Sequence, residues 1–192
     1  MSTKSLVKKS NIKDPVCQGD IFRNIKYNYI DTENDNDVEV VEYEFPLAII
    51  ISQACDVISM EKMLSLGKGK PTKFMPSILM CPIYDEKNAK SGEHIEDAFD
   101  ELFISFESDQ VYNSKDKVIA EKDWHYRFHL LELAIDGKTI MSNKIMDFKH
   151  YFSVPMSYLI KKKEDRIYHM DDLFSEQLTL KFANYLSRVA IP

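Results

Sequence analysis

The sequence predicts a single domain that is mainly β or α+β, with a barrel-like sheet followed by a C-terminal helix. Two observations carry this prediction. Several short runs rich in β-branched and aromatic residues are separated by turn residues, which is typical of small β-domains. The last stretch instead places Leu178, Phe182 and Leu186 four residues apart, with Tyr185 beside them. This apolar spacing indicates an amphipathic helix.

We expect three segments within this single domain. Residues 1–14 are polar and rich in lysine, and they are predicted to form a flexible lead-in. Residues 15–170 are predicted to form the barrel-like part, and residues 171–192 the helix packed on it. A chain of 192 residues suits one domain with its own core.

Composition excludes several classes of protein. The formal net charge of −6 weighs against nucleic acid, because lysines and arginines that neutralise phosphates dominate such binding; RNA is therefore a disfavoured partner. The N-terminus has no apolar signal region, and no apolar run approaches the roughly 20 residues that span a bilayer. We therefore expect a cytoplasmic protein with no membrane contact.

Three cysteines without a CxxC pair predict neither a disulfide framework nor a zinc knuckle, and no cofactor is predicted.

The chemistry is expected at the end of a buried central strand. Residues 46–51 are apolar and mostly β-branched, and Ser52-Gln53-Ala54-Cys55-Asp56 follow them. Residues 77–84 predict a second apolar strand in which Pro82 marks the end or an edge position. Residues 124–133 predict a further strand, and the Asp-Gly pair at 136–137 predicts a hairpin turn after it.

Cys55 and Asp56 are the first candidate catalytic residues. The functional interpretation is a nucleophilic thiol whose pKa a histidine lowers at the exposed end of the strand. The structural interpretation is a small buried Cys55 and an Asp56 that forms a turn or caps a helix. In that case Ser52 and Gln53 satisfy backbone groups where the sheet ends, although both are also candidate binding residues.

His125, Arg127 and His129 form the second candidate set. Residues two and four apart share one face of a strand, so these three side chains predict a cationic strip that could supply acid–base chemistry. The same two histidines could hold a metal ion, but no glutamate lies between them and no third ligand is evident nearby. We therefore predict no metal site.

Two further regions are candidates for partner binding. Lys161, Lys162 and Lys163, with Arg166, form the strongest local basic patch, although such runs are usually solvated loops. Tyr185 on the terminal helix suits a protein interface, while the rest of its apolar face packs on the sheet.

The chain resembles a widespread set of bacterial proteins in a series of short motifs along most of its length. The matching residues are Gly19-Asp20-Ile21-Phe22, Ser52-Gln53-Ala54-Cys55-Asp56, Met80-Cys81-Pro82-Ile83, Met146-Asp147-Phe148, Phe152-Ser153-Val154-Pro155, and Phe182 with Arg188-Val189-Ala190-Ile191-Pro192. The Ser-Gln-x-Cys-Asp element is the most specific of them. This resemblance implies no activity.

More distantly, the order of these elements is similar to that of the PemK/MazF toxins. That resemblance implies an SH3-like barrel and an endoribonuclease activity that depends on an arginine near the barrel groove. Here Gln53-Ala54-Cys55-Asp56 follow the central strand, and no arginine occurs after them before Arg127.

The function expected from these features is a non-catalytic binding or regulatory component of a bacterial multi-protein system, in anti-phage defence or a toxin–antitoxin pair. Its partners would be proteins of the same system. The alternatives are a PemK/MazF-like endoribonuclease, in which Arg127, His125 and His129 act on RNA, and a hydrolase that depends on Cys55.

Overall fold

The structure is a computed structural model, and it describes residues 5–34, 37–67, 69–91, 94 and 127–187. The strands are β1 (Ser5–Lys9), β2 (Asp20–Asn34), β3 (Asp37–Ile50), β4 (Ile78–Asp85), β5 (Phe128–Ile135), β6 (Lys138–Asp147), β7 (Phe152–Val154) and β8 (Arg166–Met170). The helices are α1 (Ala54–Leu66), α2 (Glu86–Ser91), α3 (Met156–Lys161) and α4 (Asp172–Leu186). Short 3-10 turns occur at Pro71–Lys73, Phe148–His150 and Lys163–Asp165.

The described strands form an eight-stranded sheet in the order β3-β2-β8-β1-β5-β6-β4-β7. Strand β4 also pairs with β3, so the pairings return to the strand at which this order begins. The ladder between β1 and β5 is parallel, whereas the others in the described part are antiparallel. The fold is thus mainly β with a C-terminal helix, as the sequence predicted at this level.

Residues 5–9 correct the expectation of a flexible lead-in. They form β1, which inserts between β5 and β8 and makes a ladder with each. The apolar signal in the sequence is weak because Val7 is buried, while Leu6, Lys8 and Lys9 are exposed. Strand pairing through backbone groups does not need an apolar side chain at each position. The sheet therefore begins earlier in the chain than the sequence pattern indicated.

Pro82 is not at a strand end or a sheet edge. It lies inside β4, opposite Ala48 of β3. Residues 78–80 of β4 pair with β7, and residues 83–85 pair with β6. Pro82 therefore lies between the segment that pairs with β7 and the segment that pairs with β6. A residue without an N–H group is tolerated there because neither of those two ladders includes it.

The hairpin predicted between β5 and β6 is confirmed. Asp136 and Gly137 both have positive φ, at 49° and 75°. Positive φ at both central residues is the requirement of a type I′ turn, which matches the twist of the two strands. Strand β6 is the second arm of this hairpin and runs without interruption to Asp147.

The described core has two main clusters. One lies among β2, β3, β4 and β7 under α1 and α3, and it contains Phe22, Phe45, Ile50, Met80 and Leu159. The other lies on the face covered by α4 and contains Ile21, Ile49, Leu133, Met146, Phe148, Leu178 and Phe182. Because Ile49 and Ile50 belong to different clusters, the C-terminal end of β3 is buried on both faces, which explains why residues 47–50 are all apolar.

Helix α4 is confirmed, and Asp171 caps it by accepting a hydrogen bond from the Leu173 backbone N–H at 3.2 Å. Leu178 and Phe182 are buried as predicted, but Leu186 is 53% exposed and does not pack on the sheet. Residues 188–192, which include the terminal motif, lie outside the described ranges.

Candidate functional site

The Ser52–Asp56 stretch lies at the junction between β3 and α1, as predicted. Ser52 is buried, and its Oγ accepts a hydrogen bond from the backbone N–H of Leu79 at 2.8 Å, so it satisfies a backbone group where the ladder ends. Gln53 is exposed at the N-cap of α1, but its side chain makes no capping bond. The backbone N–H of Ala54 instead donates a hydrogen bond to Gln18 Oε1 at 2.9 Å.

Cys55 is exposed in the first turn of α1, which contradicts the interpretation as a small buried side chain. In the described part of the chain, the polar contact of its Sγ is with Asp56 Oδ1 at 3.6 Å. The nucleophile hypothesis requires a histidine in this place. No described histidine makes a hydrogen bond with this exposed thiol.

A fully buried carboxylate, Asp20, connects the start of β2 to β8. Its Oδ2 accepts hydrogen bonds from Arg166 Nη1 and from the Cys17 backbone N–H, each at 2.8 Å. Its Oδ1 is 2.8 Å from His169 Nδ1. Burial and the nearby Asp20 charge raise the pKa of the Cys17 thiol, so this second cysteine is also a poor nucleophile.

Arg166 is a buried structural cation and not part of an exposed basic patch. Besides Asp20, its guanidinium donates to the backbone carbonyls of Pro15 at 2.7 Å, Asn11 at 2.5 Å and Asp14 at 3.0 Å. These bonds hold the 11–15 segment against β8. A cleft of about 290 Å³ lies beside them, lined among others by Lys8, Lys9, Cys17, Ile58 and His169.

Two of the three lysines at 161–163 form ion pairs within the molecule. Lys162 Nζ lies 3.0 Å from Asp165 Oδ2, and this bond raises the pKa of Lys162. Lys163 Nζ lies 2.6 Å from Glu61 Oε1 and 3.0 Å from the Asp14 carbonyl. Lys161 is exposed, whereas Lys162 and Lys163 are partly buried. Most of the positive charge of the three lysines is therefore already balanced by nearby carboxylates.

A second fully buried aspartate, Asp147, lies beside Arg127, His94 and His150. It is the last residue of β6, and each of its carboxylate oxygens accepts a hydrogen bond from Arg127. Arg127 Nε donates to Oδ1 at 2.7 Å, and Nη2 donates to Oδ2 at 2.5 Å. The Nε2 atoms of His94 and His150 lie 3.4 and 3.5 Å from Oδ2. Tyr84 Oη is 3.0 Å from His150 Nδ1.

The electrostatics of this cluster keep Asp147 ionised. Burial raises the pKa of Asp147, but hydrogen bonds from His94 and Arg127, with His150 nearby, outweigh burial and hold this pKa well below its usual range. Burial lowers the pKa of His150 to about 4, although the Asp147 charge opposes this shift. At neutral pH the cluster therefore contains an anionic Asp147 and a neutral His150.

Among the described residues, the predicted catalytic side chains have different partners. Arg127 belongs to the Asp147 cluster, whereas the His129 ring is stacked at 6.3 Å against Phe148 and contacts Lys181 of α4. His125 lies outside the described ranges. Tyr185 packs against Phe148 and Phe182, so it contributes to the core beside α4.

Sequence reasoning missed His94, Asp147 and His150. Asp147 and His150 carried a weak signal, since they lie three residues apart directly after an apolar strand. His94 lies 53 residues before Asp147, and no local pattern links the two. Their proximity follows from the pairing of β4 with β6, which brings Tyr84 beside Ile145.

No family model, curated protein or solved structure matches this chain. Among the described residues, no helix is long and apolar enough to cross a membrane.

Proposed function

We propose that this chain is a non-catalytic binding or regulatory component of a bacterial multi-protein system, in anti-phage defence or a toxin–antitoxin pair, and that its sheet is an SH3-like barrel. The pairing of β4 with both β6 and β3 supports the barrel, because a closed sheet needs a strand that joins its two ends. Among the described residues, Cys55, Arg127 and His129 each contact a different partner, which supports a non-catalytic role, because acid–base or nucleophilic chemistry needs its groups within hydrogen-bond reach.

The observation that carries the proposal is the outer face of α4. The helix buries Leu178 and Phe182 against the sheet, while Leu173 and Leu180 are 59% and 65% exposed. Residues seven apart lie on the same helix face, so these two leucines point away from the domain and form a stripe that also contains the polar Glu176 and Gln177. Two exposed leucines at this spacing on a helix suit a hydrophobic groove on another protein. The exposed leucines thus replace Tyr185 as the candidate contact residues.

The test is the affinity of a purified partner for variants of this stripe. The chain is isolated from its bacterial cells, its co-purifying protein is identified, and the pair is reconstituted from purified components. The double variant Leu173→Glu with Leu180→Glu should weaken binding by about tenfold or more, since each charge would be buried in an apolar contact.

The matched control is Leu64→Glu with Leu66→Glu on α1, where the two leucines are 45% and 64% exposed. This pair has similar exposure and receives the same charges, and it should bind the partner as the unchanged protein does. Equal binding by the α4 variant, or a loss in the α1 variant alone, would remove the outer face of α4 from the proposal.

A second candidate function, an endoribonuclease, is favoured by the presence of Arg127 with His94 and His150 in one cluster. Two imidazoles and a guanidinium are groups that can move protons and stabilise charge around a phosphate. Purified protein should then cleave RNA, and Arg127→Ala should abolish the cleavage. Folded protein that cleaves no RNA would eliminate this candidate. The Cys55-dependent hydrolase has weaker support, because Cys55 contacts a carboxylate.

A further inference from the structure

We propose that His94, Asp147 and His150 bind one divalent transition-metal ion of the Zn²⁺ type. The three ligand atoms that these side chains offer all lie within 4.8 Å of one another. Two imidazole nitrogens and one carboxylate oxygen are a donor set that suits Zn²⁺, Fe²⁺ or Co²⁺. The inference is independent of the proposed partner binding, since it concerns a largely buried cluster and not the outer face of α4.

The separations between Asp147 Oδ2 and the two imidazole nitrogens also match those between two ligands of one metal ion. The Nε2 atoms of His94 and His150 lie 3.4 and 3.5 Å from this oxygen, longer than most hydrogen bonds between nitrogen and oxygen. A tetrahedral Zn²⁺ site with bonds of about 2.0–2.1 Å separates adjacent ligand atoms by about 3.3–3.4 Å. The separations of His94 and His150 from Oδ2 are close to that edge length.

The surroundings orient the ligands. Tyr84 Oη lies 3.0 Å from His150 Nδ1, a contact that fixes the ring with Nε2 directed at Asp147. The Lys149 backbone N–H donates to Asp147 Oδ1 at 3.0 Å, which holds the carboxylate plane in place. Metal-binding histidines and carboxylates in proteins usually have such partners on their remaining atoms. His94 and Asp147 are almost completely buried, so their positions are set by the core.

Arg127 determines the charge balance of the site. Its Nε bond to Asp147 Oδ1 is compatible with a metal on the other oxygen, whereas its Nη2 bond to Oδ2 competes directly with one. The Arg127 side chain is 21% exposed, so its outer nitrogen can turn toward solvent when an ion binds. Three protein ligands then leave a fourth coordination position for water, as in metal sites that retain an open position.

The test is the direct binding of Zn²⁺ and Co²⁺ to metal-free protein. Calorimetry should give one Zn²⁺ per chain, and Co²⁺ should produce the intense visible absorption of tetrahedral coordination. Tyr84→Phe leaves the three ligands in place and should weaken binding by about 10–100-fold, because it removes only the group that orients His150. His94→Ala and His150→Ala should weaken it further.

His169→Ala is the matched control, because His169 also contacts a buried aspartate that is paired with an arginine. This variant should bind both ions as the unchanged protein does. Folded wild-type protein that takes up neither ion would overturn the proposal. Binding that survives in Tyr84→Phe and in both ligand variants, or that disappears in His169→Ala alone, would overturn it as well.

Discussion

Two fully buried aspartates connect distant parts of the chain. Asp20 is held by Arg166 and His169, and Asp147 is held by Arg127 with His150 beside it. A carboxylate without water is tolerated only when it is paired and hydrogen-bonded, so each of these clusters depends on all its members. Both lie where a strand begins or ends, where backbone donors also become available.

Removing the charge of Asp20 should be severely destabilising. We expect Asp20→Asn to lower the free energy of unfolding by about 3–5 kcal/mol, because it leaves the buried Arg166 cation without its counterion. Denaturation in urea measures this loss. Asp165→Asn is the control, since Asp165 pairs with the exposed Arg23, and it should cost less than about 1 kcal/mol. Similar losses in the two variants would contradict a structural role for the Asp20 cluster.

Stability should fall when metal-free protein is acidified from pH 7 to pH 4. The folded protein keeps His150 neutral down to about pH 4, whereas the unfolded chain protonates it near its ordinary value of 6.5. The unfolded state therefore binds more protons in this window, and stability falls as the pH falls. We expect the contribution of His150 to be about 2–3 kcal/mol.

Urea denaturation across this pH range measures the effect. His150→Gln should lose less stability on acidification than the unchanged protein. His129→Gln, which changes a histidine outside the cluster, should keep the full loss. An identical pH dependence in His150→Gln would show that the His150 imidazole is not the titrating group.

At the scale of elements, the close approach of α4 to the turn before β2 depends on Gly19. This residue has φ of +79°, and a Cβ added to it would lie 2.8 Å from the Cβ of Ser175 and 3.1 Å from that of Met170. Beside it, Gln18 donates from Nε2 to the Ser175 carbonyl at 2.9 Å and accepts from Ala54 N through Oε1. One short turn thereby links the start of α1 to α4.

Gly19→Ala should therefore loosen α4 as well as strain the backbone. Gly137→Ala is a matched control, because Gly137 has φ of +75° but no atom within 4 Å of an added Cβ. Positive φ alone should cost about 1–3 kcal/mol in each variant. Gly19→Ala should cost at least about 1 kcal/mol more by thermal or urea denaturation, since it also forces α4 outward. Equal losses of stability in the two variants would show that the close approach of Gly19 to Ser175 and Met170 does not contribute to the cost of the substitution.

The elements that the sequence predicted correctly are those with local causes. The Asp136-Gly137 hairpin follows from two positive φ values, and α4 follows from its apolar spacing and the cap at Asp171. Strand β1 was missed because its pairing uses backbone groups and few apolar side chains. Pro82 was misplaced because its position depends on where β4 changes partners, a property of the whole sheet.

At the scale of the whole molecule, the candidate sites depend on contacts that no local pattern encodes. Asp20 meets Arg166 across 146 residues, and His94 meets Asp147 across 53. The predicted candidates are two local groups of reactive side chains, Cys55 with Asp56 and His125 with Arg127 and His129. Pairing of the strands instead brings Arg127 to Asp147, and His129 to Phe148 and α4.

Hydrogen–deuterium exchange of the chain with its purified partner is the most direct test of the proposed binding role. Because Leu173 and Leu180 lie on the outer face of α4, amide exchange within residues 172–186 should slow on binding. Exchange in α1 around Leu64 and Leu66 should be unchanged. Protection confined to α1 or to the Asp147 cluster, with none in α4, would contradict the central claim that the outer face of α4 binds the partner.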